Sequence, residues 1–312
     1  MKDIIPFVHK SHAAMIKKCS KQLYYKNILK LTPEFVNESS LTGTAFHAFA
    51  DQIYKEKKKW DDVKYWLQFF LTNFEAQKEK FLADGIELNT VEDLKIEDFI
   101  EMIVEFIKQP YNKYAEPILL EAPFRFFIAR GKKKYWFEGR LDALLKIETK
   151  YLKCFPYFYE QLKKEVTKDY IYIHRDTKTG SRKITSEISL TTNDNINFYA
   201  YALAYGLFDL TGNGIYDKRI QLIPYAHALH YVRDYLKYKR KTGDHIVGDP
   251  KGPSMYFVKK NLTDLKNMED ELVNLHIKVN SNIYTRDGSE NGLCDKFCGF
   301  KKMCLHEWHK YG

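Results

Sequence analysis

The chain has 312 residues, 45 % hydrophobic and 15 % aromatic, enough to bury the core of one large or two small domains, which excludes a disordered chain. A formal charge of +9 suits a polyanionic partner, and the lack of any run of about 18 apolar residues excludes a membrane-spanning helix. Five cysteines, an odd number, argue against a disulfide framework, and an N-terminus without a secretory leader points to a cytoplasmic setting, or a host-intracellular one for a viral protein.

Residues 11–30 read as a helix carrying Cys19, followed by an irregular stretch to Ser40. Leu41-Thr-Gly43-Thr-Ala-Phe46-His47 opens a second helix with Thr42 as its cap. Apolar residues at helical spacing, among them Trp66, Phe69, Phe70 and Phe74, predict helices over 60–83 and 92–108, and Pro110 and Pro117 interrupt the pattern. From Ile118 the chain turns β-rich. Segments 122–128 and 134–137 flank Gly131-Lys-Lys as a hairpin, and 140–147 continues as a strand. A charged, aromatic insertion over 150–168 holds Cys154, read as structural, before a strand over 170–178. A Tyr/Ala-rich helix over 193–210, strands over 219–223 and 254–258, and a helix over 262–280 follow. The expected units are therefore a segment 1–40, a helical region 41–120, a β-rich core 121–283 and a polar cysteine-bearing segment 284–312.

Two acids and a lysine stand at the ends of β-prone segments. Asp142 closes Phe137-Glu-Gly139-Arg-Leu-Asp142, and Asp176 opens Asp176-Thr-Lys178-Thr-Gly180. A period of two turns Asp176 and Lys178 to one face and Thr177 to the other. Paired carboxylates hold a divalent cation, and a lysine polarises water or offsets phosphate charge, which together are the parts of a metal-dependent phosphodiesterase. A turn with a solvated Asp and Lys is the alternative. Glu121, Glu138 and Asp51 are nearby acids left outside this set.

Cys294, Cys298 and Cys304 form C-x3-C-x5-C. Soft thiolates this close suit a metal or an iron–sulfur cluster, which takes four such ligands. Cys19 is one candidate for the fourth, and His306 is the other, giving a three-cysteine, one-histidine zinc site.

Gly139-Arg-Leu-Asp142 followed by Asp176-Thr-Lys178-Thr-Gly180 resembles motifs two and three of the PD-(D/E)XK nucleases. Gly43-Thr-Ala-Phe-His47 is similar to the helical histidine motif of the RecB-like branch. Asn197-Phe-Tyr-Ala-Tyr201 stands where that branch has Gln-x-x-x-Tyr, with Asn195 and Tyr199 an equally spaced pair. One cysteine before the core and three after it resembles the cluster of the RecB-like iron–sulfur nucleases, which include CRISPR-associated exonucleases and the AddB nuclease domain. The resemblance spans Cys19 to Cys304.

It implies an α/β (α+β) restriction-endonuclease-like core, a mixed sheet flanked by helices, with a helical insertion and a 4Fe–4S cluster on Cys19, Cys294, Cys298 and Cys304 stapling the two ends. It implies Mg²⁺ or Mn²⁺ held by His47, Asp142, Asp176 and the Thr177 carbonyl, with Lys178 activating water and Tyr201 and Asn197 at the phosphate or positioning Lys178. The implied activity is a DNA exonuclease preferring single strands or ends, with possible endonuclease activity, in repair, recombination or CRISPR adaptation. The sequence departs from the family in the 34 positions separating Asp142 from Asp176 and in the long helical stretch 51–118. Without a phosphate-binding loop it resembles the stand-alone nucleases. A DNA-end-binding subunit with a vestigial site and a zinc-stabilised interaction protein are the competing readings. The basic runs at 55–59, 132–134 and 237–241, with Tyr231, Tyr235 and Tyr238 among or beside them, are candidate strand contacts. The insertion and the helical stretch are candidate accessory DNA-binding or partner-binding surfaces, and a protein partner or a homo-oligomer is among the expected associations.

Overall fold

The computed structural model describes residues 5–56, 59–89, 95–155, 159–160, 163, 166, 168–179, 194–224, 226–231, 255–281 and 298–305. Its strands are β1 (Phe7–His9), β2 (Phe35–Asn37), β3 (Glu87–Asn89), β4 (Ala115–Arg130), β5 (Lys133–Glu148), β6 (Tyr170–Lys178), β7 (Leu207–Phe208), β8 (Lys218–Arg219), β9 (Ala226–Tyr231) and β10 (Met255–Val258). Its helices are α1 (Lys10–Lys18), α2 (Ser20–Leu23), α3 (Glu38–Lys55), α4 (Val63–Ala83), α5 (Ile96–Lys108), α6 (Pro110–Tyr114), α7 (Asp194–Tyr205) and α8 (Leu262–Val279). The fold is mixed α/β. The central sheet runs β10-β9-β6-β5-β4-β7-β8, with β1 added to β5. It is mixed because β6 pairs parallel to β9 and β1 parallel to β5, while the other ladders are antiparallel.

Helices cover both faces. Residues from α3, α4, α5 and α6, among them Phe46, Trp66, Phe70 and Phe106, pack on Ala143, Leu145, Ile147, Ile171 and Ile173. On the other face α7 and α8, through Phe198, Leu203, Leu265 and Leu272, pack on Phe124, Phe126, Phe137 and Leu144, with Met15 and Ile16 of α1 alongside. Among the described residues no helix is long and apolar enough to cross a membrane.

The hairpin predicted around Gly131 is β4–β5, paired from Arg130 opposite Lys133 down to Ala115 opposite Ile147. Gly139 faces Phe124 across this ladder, and a Cβ there would sit 2.7 Å from the ring, so the glycine lets Phe124 lie over the strand. Several expectations need correction. The helix predicted over 11–30 breaks at Cys19, whose backbone is extended, and resumes as α2 and a π-turn over Tyr24–Ile28. No Gly or Pro marks that break in the sequence. Helix α3 begins at Glu38, so Thr42 is interior and its hydroxyl donates to Glu38 O rather than capping. Pro110 opens α6 at its first turn, and Pro117 lies inside β4. Strand β9 was not expected. It occupies the start of the basic tyrosine-rich stretch, with Ala226 and Ala228 buried against the helical face.

Candidate active site

One rung of the sheet carries three carboxylates. Ala143 pairs with Arg175, and one step further along the same register sets Asp142 opposite Asp176 on neighbouring strands. On the other side of β5, Leu120 pairs with Ala143 and Ala122 with Leu141, which places Glu121 across from Asp142. The pleat is irregular at this rung. Glu121 is left-handed, with φ 44°. In β4, Leu119 before it and Ala122, Phe124 and Phe126 after it all reach the same core. In β5, Leu141 faces that core and Ala143 the opposite one, although both are odd-numbered. A bulge-like kink of this kind re-aims side chains, which is where sheets commonly place functional groups.

Helix α3 brings the histidine. Gly43 passes close to Thr179, since a Cβ in place of its hydrogen would sit 3.3 Å from the threonine Oγ1, and His47 follows one turn later on the same helix face. His47 Nδ1 lies 3.4 Å from Glu121 Oε1 and 3.5 Å from Asp142 Oδ2. Ligand atoms of His47, Glu121 and Asp142 all fall within 4.8 Å of one another, the one such grouping of metal-ligating side chains among the described residues. An imidazole with two carboxylates is a donor set suited to a divalent cation such as Mg²⁺ or Mn²⁺.

An acid–base pair stands beside it. Lys178 Nζ donates to Asp176 Oδ1 at 2.5 Å, as expected for residues two apart on one face of β6. Lys10 of α1, absent from any sequence expectation, reaches the same carboxylate, with Nζ 3.8 Å from Asp176 Oδ2 and donating to Tyr199 OH at 2.9 Å. Thr177 contributes its amide, which donates to Asp142 Oδ2 at 3.0 Å; the expected role was a carbonyl ligand.

Burial and the charge of Asp176 push the Asp142 carboxyl up to about 6, partly offset by His47 and the lysines. Asp176 goes the other way. Burial opposes its charge, but Lys10 and Lys178 outweigh that and hold it well below the usual carboxylate range. Lys178 is held above the usual lysine range, because Asp176 and Asp142 outweigh its burial. Burial lowers Lys10 to about 8 despite Asp176. His47 is raised, since Asp142 and Glu121 overcome burial.

The expected Asn197/Tyr201 pair is elsewhere. Two residues along a helix are about 200° apart, so Tyr199 and Tyr201 project to opposite sides of α7. Tyr199 faces the acids, with His174 against its ring at 4.7 Å, while the Tyr201 hydroxyl donates to Glu269 of α8 at 3.1 Å. Asn197 shares the Tyr201 side and lines a cavity against α8. The register facing the acids is the one that ends at Tyr199. Glu121, which sequence reasoning set aside, joins the site; Glu138 is engaged by His9 and Arg125, and Asp51 by Lys55. The signal for Glu121 lay in the hairpin, because a turn centred on Gly131 and Lys132 pairs position 142 with position 121.

Cys19 and Cys298 are buried, and Cys154 and Cys304 half-buried. Cys298, Phe300 and Cys304 pack on Tyr24 and Tyr25, a few residues past Cys19, and Glu34 N–H donates to Gly299 O at 2.7 Å. Cys19, Cys298 and Cys304 do not gather within 4.8 Å as a trio. Thiolates sharing one tetrahedral zinc sit about 3.8 Å apart, from a Zn–S bond of about 2.3 Å, whereas a four-iron cluster binds each thiolate on a separate iron and spreads them further. Cys294, His306, Tyr235 and Tyr238 lie outside the described residues.

No protein-family model matches the chain. Two proteins from Dictyostelium discoideum, each described as "Suppressor of smlA", are similar to it, 27 % identical over 163 residues, 47 % of this chain and 28 % of theirs. The matched stretch covers under a third of those relatives' length, and their description states no activity.

Proposed function

We propose that the chain is a metal-dependent phosphodiesterase acting on DNA, with a PD-(D/E)XK-type centre. One observation carries this reading. Glu121, Asp142 and Asp176 occupy one rung of three adjacent strands, with His47 over two of them and Lys178 on the third. His47, Glu121 and Asp142 would hold Mg²⁺ or Mn²⁺, which would neutralise charge on the scissile phosphate and acidify a water. The Thr177 amide fixes the Asp142 carboxylate. Lys178 and Lys10, both beside Asp176, are the cationic groups that would orient a phosphate oxygen and stabilise charge developing on it. Asp176 keeps the two ammonium groups pointed at that spot. The packing of the Cys298–Cys304 segment beside Tyr24 and Tyr25 supports a 4Fe–4S cluster on Cys19, Cys294, Cys298 and Cys304 as a staple between the chain ends.

The test uses end-labelled single- and double-stranded DNA with Mn²⁺ or Mg²⁺, and circular DNA as control. Cleavage by the wild-type chain and its loss in Asp142→Ala and Lys178→Ala are expected. Equal cleavage by the folded variants would remove both residues from the mechanism, and no wild-type cleavage of any substrate would leave DNA binding without chemistry as the function. Anaerobic purification is expected to give a brown protein with about four irons per chain; a colourless zinc protein would refute the cluster.

A further inference from the structure

A cavity of about 390 Å³ lies between α1, α7 and α8. Ile16, Phe198, Leu272 and Leu275 give it apolar walls. Asn197 also lines it. That side chain is 6 % exposed, and its Oδ1 is buried without a hydrogen-bond partner among the described residues. Leaving an amide oxygen unsatisfied costs about 1–3 kcal/mol, so an apolar residue would serve the fold better at this position. Asn197 is nevertheless among the residues lining the cavity, so its amide is the polar group that α7 offers a ligand there.

Lys10 connects the cavity to the acid centre. It lines the cavity, and its ammonium lies 3.8 Å from Asp176 Oδ2, on the carboxylate that also holds Lys178. A ligand with an anionic group at the two lysines and a flat, mostly apolar body in the cavity would meet both environments at once. The volume falls within the range of about 300–1,000 Å³ typical of small-ligand sites, and suits one nucleotide unit rather than a length of strand. Enzymes that take a base out of its stack hold it in this way, between apolar side chains with a few hydrogen bonds to its edge.

We propose that this cavity receives the nucleobase of the nucleotide whose phosphate lies at Lys10 and Lys178, with the Asn197 amide hydrogen-bonded to the base edge. The proposal rests on the phosphodiesterase reading for the phosphate end, and it goes beyond it in giving the enzyme a subsite that holds one unstacked base. Asn197 then acts in substrate binding on the α8 side of α7, away from Lys178. A strand that cannot release its base, as in the interior of a duplex, would be a poor substrate.

The test compares binding of dAMP and of 2-deoxyribose 5-phosphate to the full chain by calorimetry in EDTA, so that no turnover occurs. The two probes share the phosphate and differ in the base. The wild-type chain is expected to bind dAMP at least tenfold more tightly. Asn197→Leu should remove most of that difference while its melting temperature stays level or rises, whereas Lys10→Met should weaken both probes alike. Equal binding of the two probes by the wild-type chain overturns the proposal without any variant. A dAMP advantage that survives Asn197→Leu overturns this location for the base. A melting temperature that falls in Asn197→Leu together with binding of both probes would show a structural role only and likewise overturns it. Failure of the phosphodiesterase reading would appear separately, as absence of DNA cleavage by the wild-type chain in Mn²⁺.

Discussion

Glu121 offers two perturbations that separate backbone from side chain. Its φ of 44° lies in the left-handed region, where an L-residue is disfavoured by about 1–2 kcal/mol. Glu121→Ala and Glu121→Gly both delete the carboxylate that approaches His47 at 3.4 Å and Arg140 at 3.9 Å. Those contacts are half-exposed, contribute about 1 kcal/mol or less, and are lost equally in both variants. What differs is the left-handed backbone, which glycine adopts freely and alanine does not. The glycine variant should therefore be the more stable by about 1 kcal/mol, a melting difference of roughly 2 °C for a chain of this size. Both should bind Mn²⁺ at least about tenfold more weakly than the wild type by calorimetry, because the grouping with His47 and Asp142 loses one of its three donors. Equal stability of the two variants would refute the strained rung. Wild-type Mn²⁺ affinity in either would refute Glu121 as a ligand.

Mn²⁺ binding needs Asp142 ionised and His47 neutral, and both are raised, Asp142 to about 6. Protons therefore compete as the solution is acidified, and affinity measured by calorimetry should fall at least about tenfold from pH 7.5 to 5.5; a flat profile would count against both ligands. Burial lowers His12 to about 4, His174 to about 3 and His227 well below its usual value. Below pH 6.5 the unfolded chain takes up protons that these folded histidines refuse, so stability present above pH 6.5 is lost as pH falls toward 3. Asp142, between about 6 and 3.8, and His47, raised by Asp142 and Glu121, act in the opposite direction but are outweighed by the three histidines, so the unfolding free energy from denaturant titration should drop by on the order of a few kcal/mol between pH 7.5 and 4.5; an unchanged value would show that the histidines are not buried. Arg175 is 2 % exposed, donates to the Tyr54 hydroxyl at 2.8 Å and lies 4.9–5.3 Å from the ring centres of Phe106, Tyr54 and Tyr111. Tyr54→Phe removes that acceptor and should destabilise by about 1–3 kcal/mol in urea unfolding, with the rings left to hold the guanidinium; a neutral change would assign the site to the rings alone.

The long elements were legible because their periodicity is regular. Helix α4 was expected over 60–83 and runs Val63–Ala83, and β6 was expected over 170–178 and runs Tyr170–Lys178. Asp176 and Lys178 meet because period two holds through β6. The misses occur where a period breaks or where the partner is remote in sequence. Cys19 interrupts a continuous helical pattern without a breaker residue. Glu121 sits where β4 changes face, so alternation counted from either side misassigns it. Lys10 reaches Asp176 from 166 positions away, and no local pattern records that approach. Tyr199 and Tyr201 offered the same spacing to two partners, and only the packing of α7 against α8 decides which faces the acids.

Three acids on one rung repel, and the chain tolerates them through cations carried by other elements: His47 on α3, Lys10 on α1 and Lys178 two residues along β6. Asp142 is the least compensated, since burial and Asp176 together raise it. A bound divalent cation reverses that local balance, so metal and fold should be linked. Mn²⁺ at 100 times its dissociation constant is expected to stabilise the chain by about 2.7 kcal/mol, a rise of roughly 5 °C that EDTA reverses. At the same Mn²⁺ concentration a tenfold weaker Glu121→Gly should lose about half of this increment while keeping its strain relief, so its advantage over Glu121→Ala should be the same with and without metal. A metal increment retained in full by Glu121→Gly would place the cation elsewhere. An advantage that vanished on adding Mn²⁺ would mean that the alanine variant binds the metal more tightly than the glycine variant, against the equal loss expected when both lack the carboxylate.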